Sequence, residues 1–165
     1  MAFLDHVFDK IMKIYLFMAK FFLIAMVLII GVQVFFRYVL NQSISWSEEI
    51  SMLLMVMFGF ISIAIGVQKG LHLNISLFYD RFSPSLKFVC DKFVDSTIMG
   101  VGLVMVIYGI LLIKSTMHAP MPATGLPAAT LYCIVPLTGL LIFYYSFSDL
   151  IGHQHRKEQK EGLIV

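Results

Sequence analysis

The sequence predicts an all-α integral membrane protein with four transmembrane helices and additional amphipathic helices on the membrane surface. Hydrophobic residues make up 59% of the 165-residue chain and charged residues 13%, whereas soluble proteins carry about 25% charged residues. The mean hydropathy is +0.89, and four apolar segments are long enough to cross about 30 Å of hydrocarbon. These properties argue against a soluble enzyme or a nucleic-acid-binding domain. Residues 1–152 are expected to form a single membrane domain.

The first span is predicted at about residues 14–36, in an apolar run interrupted by Gln33. A cleaved signal peptide is the alternative, but the run exceeds the usual length of about 7–15 apolar residues, and no small-residue cleavage site follows it. Lys20 lies near the N-terminal end of this span, where a long stem lets the ammonium reach the interface. We interpret Lys20 as a membrane anchor, with a role in an ion pathway as the alternative.

The other three spans are predicted at about residues 50–67, 96–113 and 128–148. The second and third are uncharged 18-residue runs, a length that suits a membrane crossing. No charge occurs between Lys114 and Asp149, so the fourth span must lie there, after a cluster of prolines. Pro136 falls inside this span. Because neighbouring helices can satisfy the carbonyl that a proline leaves free, we expect a kink rather than a break.

Lysine and arginine are unevenly divided between the two sides of the predicted membrane. Ten of the twelve lie in the N-terminal segment, the loop between spans two and three, and the C-terminal tail. The other two, Arg37 and Lys114, lie in the remaining loops. Because loops rich in positive residues stay in the cytoplasm, both termini are predicted to be cytoplasmic.

Two segments, at about residues 3–13 and 74–93, are predicted to lie as amphipathic helices on the cytoplasmic membrane surface. In each, apolar residues recur every three or four positions opposite a charged face, as in a helix lying in the headgroup plane. Ser83 and Pro84 would divide the second segment as N-cap and first helical residue. The helices either anchor the chain to lipid alone or also hold a partner protein. Residues 153–165 are predicted to form a charged cytoplasmic tail, and its segment from His153 to Glu161 is predicted to be disordered. The predicted membrane anchors are Lys20, Tyr79, Arg81, Phe82 and Lys87.

The residue types that bind haem or metals are not positioned for either role. None of the five histidines lies inside a predicted span, whereas a membrane cytochrome needs imidazoles that face a shared interior. Cys90 and Cys133 have no disulfide or zinc-binding spacing. The four predicted spans contain no carboxylate, although a proton-coupled transporter needs a titratable group on its path. We therefore predict no cofactor, no metal site and no catalytic residue in this chain.

The connection between spans one and two holds the most informative polar residues. Ser45 and Glu48 have the spacing of a capping box, and Glu48 and Glu49 suit the first turn of a helix. Trp46 is typical of the aromatic belt at a membrane interface. Arg37 ends span one, where it either pairs with Glu48 or Glu49 as a structural clamp or contacts a partner. Substrate binding is the third alternative.

Three stretches of the chain have the order and spacing of motifs in a known family. Arg37-Tyr38 followed by Trp46-Ser47-Glu48-Glu49 is similar to that family's transition from span one to span two. Residues 66–75 resemble its glycine and histidine stretch after span two, and residues 125–136 resemble its start of span four. Gln68-Lys69 stands where members often carry arginine. Over nearly its whole length the chain resembles the small membrane subunit of tripartite ATP-independent periplasmic (TRAP) transporters, the DctQ-like proteins.

This resemblance implies a transporter subunit that is not itself the conduit. In the family, a large multi-span subunit binds substrate and sodium and moves by an elevator-type motion, while a soluble periplasmic protein delivers the ligand. The small subunit would be a static scaffold in the bacterial inner membrane that also helps dock the periplasmic protein. A chain without pairs of broken helices is poorly equipped to bind an ion at the midplane. Members serve sialic acid, C4-dicarboxylates and other organic acids, and the sequence does not choose among them.

Two other classes stay open at this point. A membrane anchor subunit of a respiratory or other enzyme complex would also have four spans and depend on partners, and an optical spectrum showing haem would identify it. A free-standing small transporter would instead catalyse uptake alone in liposomes.

Overall fold

A computed structural model describes residues 2–70 and 84–151 of the chain. Four helical segments within these ranges are long and apolar enough to cross a membrane, which confirms the predicted class and number of spans. The fourth segment consists of two consecutive helices. The helices are α1 (Ala2–Val39), α2 (Ser45–Gln68), α3 (Pro84–Thr116), α4 (Ala129–Tyr132) and α5 (Ile134–Ile151).

The bundle has two ends that the polar contacts distinguish. We call the end with the α1–α2 connection and the residues between α3 and α4 the outer end, and the opposite end the inner end. A hydrophobic core lies where α1, α2 and α5 meet. Its buried members are Met12, Tyr15, Ala19, Ile61, Ala64, Ile134, Leu141 and Tyr145.

Helix α1 continues without interruption through the segment predicted as a separate surface helix, residues 3–13. It contains 38 residues and is therefore about 57 Å long, well beyond the thickness of the hydrocarbon layer. Part of its N-terminal apolar stripe packs on the bundle. Met12 is buried, and the Phe8 ring stacks on Tyr144 with the ring centroids 3.6 Å apart. Residues 3–13 and the first span thus belong to one helix.

After α2 the structure describes residues 69–70, and it resumes at Pro84, where α3 begins. The predicted anchors Tyr79, Arg81 and Phe82, and the first part of the predicted surface helix, lie outside the described residues. From Pro84, α3 runs as one helix of 33 residues, so residues 84–93 extend the third span. Lys87 is half-buried on this extension.

Helices α3 and α5 come into backbone contact at glycines. A Cβ atom added to Gly139 would lie 2.8 Å from the Gly102 carbonyl oxygen, and one added to Gly102 would lie 2.8 Å from the Phe143 nitrogen. Gly109 similarly faces Pro136, whose Cδ would lie 2.9 Å from an added Cβ. Small residues are the usual means by which membrane helices approach closely. This helix spacing therefore requires glycine at these positions.

The fourth span is distorted where proline removes a helix hydrogen bond. Pro136 has no N–H to donate to the Tyr132 carbonyl, and the helix is interrupted at Cys133, between α4 and α5. Cys133 keeps right-handed helical angles, with φ −61° and ψ −26°. The interruption thus preserves the helical path, as expected of a kink rather than a break.

Candidate functional site

The connection between α1 and α2 is a tight turn closed by backbone hydrogen bonds. The N–H groups of Leu40 and Gln42 both donate to the Phe36 carbonyl oxygen, at 3.1 Å and 3.2 Å. Asn41 between them has a φ of 52°, in the left-handed region that asparagine adopts more readily than most residues. The turn brings the end of α1 beside the start of α2, at the outer end.

Helix α2 begins at Ser45 without the predicted capping box. The N-cap is Ile44, which makes no side-chain cap hydrogen bond. Ser47, only 1% exposed, donates its hydroxyl to the Ile44 carbonyl oxygen at 2.6 Å. The capping box of Ser45 and Glu48 was wrong because Ser45 is already inside the helix. The Glu48 side chain is therefore available to another partner.

Glu48 accepts a hydrogen bond from the polar residue that interrupts the first apolar run. The Gln33 side-chain amide donates from Nε2 to Glu48 Oε1 at 3.0 Å. Gln33 lies one helical turn before Arg37, and its hydrogen bond shows that its side chain reaches the first turn of α2. Interhelical hydrogen bonds of this kind help to hold membrane helices together. The contact ties α1 to the first turn of α2.

Glu49 holds the segment between α3 and α4. Its Oε1 accepts the Ala123 N–H at 2.8 Å. Its Oε2 accepts the Thr124 N–H at 2.8 Å and the Thr124 hydroxyl at 2.7 Å. Hydrogen bonds to an ionised acceptor are stronger than those between neutral groups. One carboxylate thus fixes two consecutive residues that are remote from it in sequence.

The residues between Ala119 and Ala128, the 119–128 loop, also have their own backbone hydrogen bonds. The Ala128 N–H donates to the Ala119 carbonyl oxygen, and the Met121 N–H to the Leu126 carbonyl oxygen, both at 2.8 Å. At the tip, Gly125 has a φ of 70°, which glycine adopts without strain. Met121 is 5% exposed and anchors the loop on the bundle. The loop is compact, and Glu49 binds its tip.

Arg37 and Trp46, the other two predicted clamp or interface residues, stay on the surface of the outer end. Arg37 is exposed, and within residues 2–70 and 84–151 neither Glu48 nor Glu49 forms an ion pair with it; the glutamates bind amide and hydroxyl donors instead. Tyr38 is 76% exposed and Trp46 50% exposed. We call Arg37, Tyr38 and Trp46 the outer patch.

Polar contacts also join helices at the inner end. The Gln68 side-chain amide donates to the Tyr145 hydroxyl at 3.2 Å, linking α2 to α5. The Lys92 ammonium donates to the Asp149 carbonyl oxygen at 3.4 Å and to the Leu150 carbonyl oxygen. Carbonyls in the last turn of a helix lack partners within the helix, and a cation there complements the helix dipole. Lys92 therefore fastens α3 to the end of α5.

The residues that make these contacts differed in how far the sequence pattern marked them. Gln33 stood out as a polar residue in an apolar run and Glu48 as a clamp candidate, but their pairing was not predicted. Thr124 and Lys92 had no distinguishing pattern, because their partners lie on other helices. Of the predicted anchors, Lys20 is exposed on α1. Asp95, one residue before the predicted third span, lies inside α3 and is 4% exposed.

The contacts at the two ends join segments of the chain that are distant in sequence. Glu48 and Glu49 accept hydrogen bonds from amide and hydroxyl donors, Gln68 donates to the Tyr145 hydroxyl, and Lys92 donates to backbone carbonyls. Among the residues that the structure describes, no three His, Cys, Asp or Glu side chains are grouped so that they could hold a metal ion. The fold and these contacts define a small multi-pass membrane protein whose polar groups join its own helices.

Comparison with known protein families gives this class a name. Residues 26–155 match the family described as "Tripartite ATP-independent periplasmic transporters, DctQ component". The chain therefore belongs to the DctQ family, and it is a small permease component of a TRAP transporter in the inner membrane. The resemblance seen in the sequence is confirmed. A search of curated proteins gave no significant match.

Proposed function

We propose that this DctQ component is the static scaffold of a TRAP-type importer of organic acids. In this proposal it braces a larger membrane component, which binds substrate and sodium and moves substrate across the membrane. The observation that carries the proposal is the engagement of both outer carboxylates within the chain itself. Glu49 accepts three hydrogen bonds from Ala123 and Thr124, and Glu48 accepts one from Gln33. Carboxylates committed in this way are poorly placed to bind a transported cation.

The distribution of the interhelical contacts supports a static role. At the outer end, Glu48 joins α2 to α1, and Glu49 joins α2 to the 119–128 loop. At the inner end, Gln68 joins α2 to α5, and Lys92 joins α3 to α5. Relative motion of the helices would break contacts at both ends. A bundle held in this way suits a brace against which another subunit moves.

We further propose that the outer end faces the periplasm and that the outer patch contacts the soluble substrate-binding component. The bias of lysine and arginine toward the other side supports this orientation. The patch combines an exposed arginine with two exposed aromatic residues, Tyr38 and Trp46, and these residue types are enriched at protein interfaces. The imported compounds would be organic acids such as sialic acid or C4-dicarboxylates.

Isolation of the affinity-tagged chain from native membranes in a mild detergent tests the scaffold role. We expect a larger protein of roughly twelve spans to co-purify, and reconstituted uptake to require both membrane components together with the soluble component. Consistent purification of this chain alone, together with uptake by this chain alone in liposomes, would contradict the proposal.

A second measurement tests the role of the outer patch. The double variant Arg37→Ala/Trp46→Ala should reduce uptake when the soluble component is limiting, without loss of the larger membrane component and without a change in substrate preference. Lys114→Ala is the matched control, because Lys114 is another exposed cation in the last turn of a helix that ends at the outer end. An altered substrate preference with intact assembly would assign the patch to substrate binding instead.

A further inference from the structure

The face of α1 that points away from the bundle carries three lysines in line. Lys10, Lys13 and Lys20 are all exposed. Their separations of three and seven residues place them on one side of the helix. Met12 and Tyr15, on the other side of α1, are buried in the core. The three lysines, which we call the lysine face, therefore point toward the surroundings of the bundle.

The depth of these residues along α1 brings their ammonium groups toward one headgroup layer. Arg37 marks the polar outer end, and about 20 residues of 1.5 Å rise cross the hydrocarbon. The opposite edge of the hydrocarbon thus lies near residue 17, with Lys20 about 5 Å inside it and Lys13 about 6 Å outside it. Side chains of a helix lean toward its N-terminus. The Lys20 stem therefore leans toward the headgroups of the leaflet at the N-terminal end of α1.

Apolar residues continue the same side of α1 into the hydrocarbon. Phe17, near the hydrocarbon edge, is 70% exposed, and Phe21 and Ile24, deeper than Lys20, are 58% and 61% exposed. The surface therefore presents cations at the level of lipid phosphates and aromatic and aliphatic groups at the level of acyl chains. These two halves match the two chemical halves of a phospholipid.

We propose that the lysine face binds an anionic phospholipid. Lys13 and Lys20 hold the phosphate from either side of the hydrocarbon edge, and Lys10 adds positive charge above it. Like charges on neighbouring turns of a helix repel one another, and a bound anion offsets this repulsion. Lysines next to a membrane span attract anionic headgroups. The inference does not depend on the proposed transport function, since it concerns the lipid contact of this chain alone.

Native mass spectrometry of the purified full-length chain, titrated with phosphatidylglycerol or phosphatidylcholine in detergent micelles, tests the proposal. We expect tighter binding of phosphatidylglycerol than of phosphatidylcholine. The double variant Lys13→Gln/Lys20→Gln should weaken phosphatidylglycerol binding by about tenfold to thirtyfold and leave phosphatidylcholine binding unchanged. The charge-retaining variant Lys13→Arg/Lys20→Arg should bind as the original chain does.

The matched control is Lys69→Gln/Lys114→Gln, which removes two exposed lysines outside α1, one directly after α2 and one in the last turn of α3. It should leave phosphatidylglycerol binding within about twofold. Equal binding by Lys13→Gln/Lys20→Gln and the original chain would overturn the proposal. Competition by millimolar inorganic phosphate would also overturn it, because the ligand would then be a soluble phosphate. Loss of the larger membrane component from that variant, with lipid binding intact, would assign the face to a protein contact instead.

Discussion

Replacing Gly139 with alanine tests whether the contact between α3 and α5 depends on the missing side chain. The added Cβ would lie 2.8 Å from both the Gly102 carbonyl oxygen and Met105 Cβ. Neither atom can move away by a change of side-chain rotamer, because one belongs to the backbone and the other is directly bonded to it. The two helices would have to separate by several tenths of an ångström to restore ordinary contact.

Two opposing contributions set the expected change in the free energy of unfolding. Inserting a methyl group into a packed contact costs about 1–3 kcal/mol, and alanine in place of glycine improves helix propensity by about 1 kcal/mol. We therefore expect Gly139→Ala to destabilise the bundle by up to about 2 kcal/mol. Gly31→Ala is the matched control, since nothing lies within 4 Å of its added Cβ. The control should be neutral or up to about 1 kcal/mol more stable.

Both variants can be compared by unfolding in mixed micelles with a rising fraction of dodecyl sulfate. The fluorescence of Trp46, the single tryptophan of the chain, reports on the outer end, and far-UV circular dichroism reports on helix content. The difference between Gly139→Ala and Gly31→Ala isolates the contact, because the propensity term is common to both. Unfolding of the two variants at the same detergent fraction would refute the reasoning.

Substitutions at three further residues test the polar contacts. Glu49→Gln should speed amide hydrogen exchange at Ala123 and Thr124, because a neutral amide offers one acceptor oxygen in place of two charged ones. Unchanged exchange at both amides would show that the carboxylate does not hold the loop. Gln33→Leu should lower the free energy of unfolding by less than about 1 kcal/mol, since its hydrogen bond is exposed. A loss above about 2 kcal/mol in the same unfolding assay would contradict this expectation. Lys92→Met should lower the free energy of unfolding by about 0.3–1 kcal/mol and speed amide hydrogen exchange in the last turn of α5. Lys92→Arg should preserve both the stability and the exchange rates. Identical behaviour of Lys92→Met and the original chain would show that Lys92 does not stabilise the end of α5.

The four spans could be predicted because their signal is local. A span needs about 20 consecutive apolar residues, and runs such as residues 50–67 and 96–113 contain no charge. The structure places helices over these runs and extends them at their ends. The family motifs around Arg37 and Trp46 were equally visible, because they depend on order along the chain.

Whether an amphipathic segment lies on lipid or packs on the bundle could not be predicted in the same way. The apolar stripe on residues 3–13 can be buried equally well against a lipid surface or against other helices, and its periodicity does not distinguish these two environments. In the structure, Phe8 stacks on Tyr144 and Met12 is buried. The segment therefore continues α1 and packs on the bundle.

The same limit applied to the clamp at the outer end. Charge and nearness in sequence favoured Arg37 as the partner of Glu48 or Glu49. In the structure, Glu48 accepts a hydrogen bond from Gln33. Glu49 accepts one from Thr124, 75 residues further along the chain. The sequence by itself determined the membrane class and the number of spans, because the free energy of transferring a helix into lipid is a sum over neighbouring residues. It also determined the family, because the family motifs depend on order along the chain. Only the tertiary structure decided which donor each carboxylate binds, because a hydrogen bond requires atoms from distant segments to lie within about 3 Å of each other in a suitable orientation.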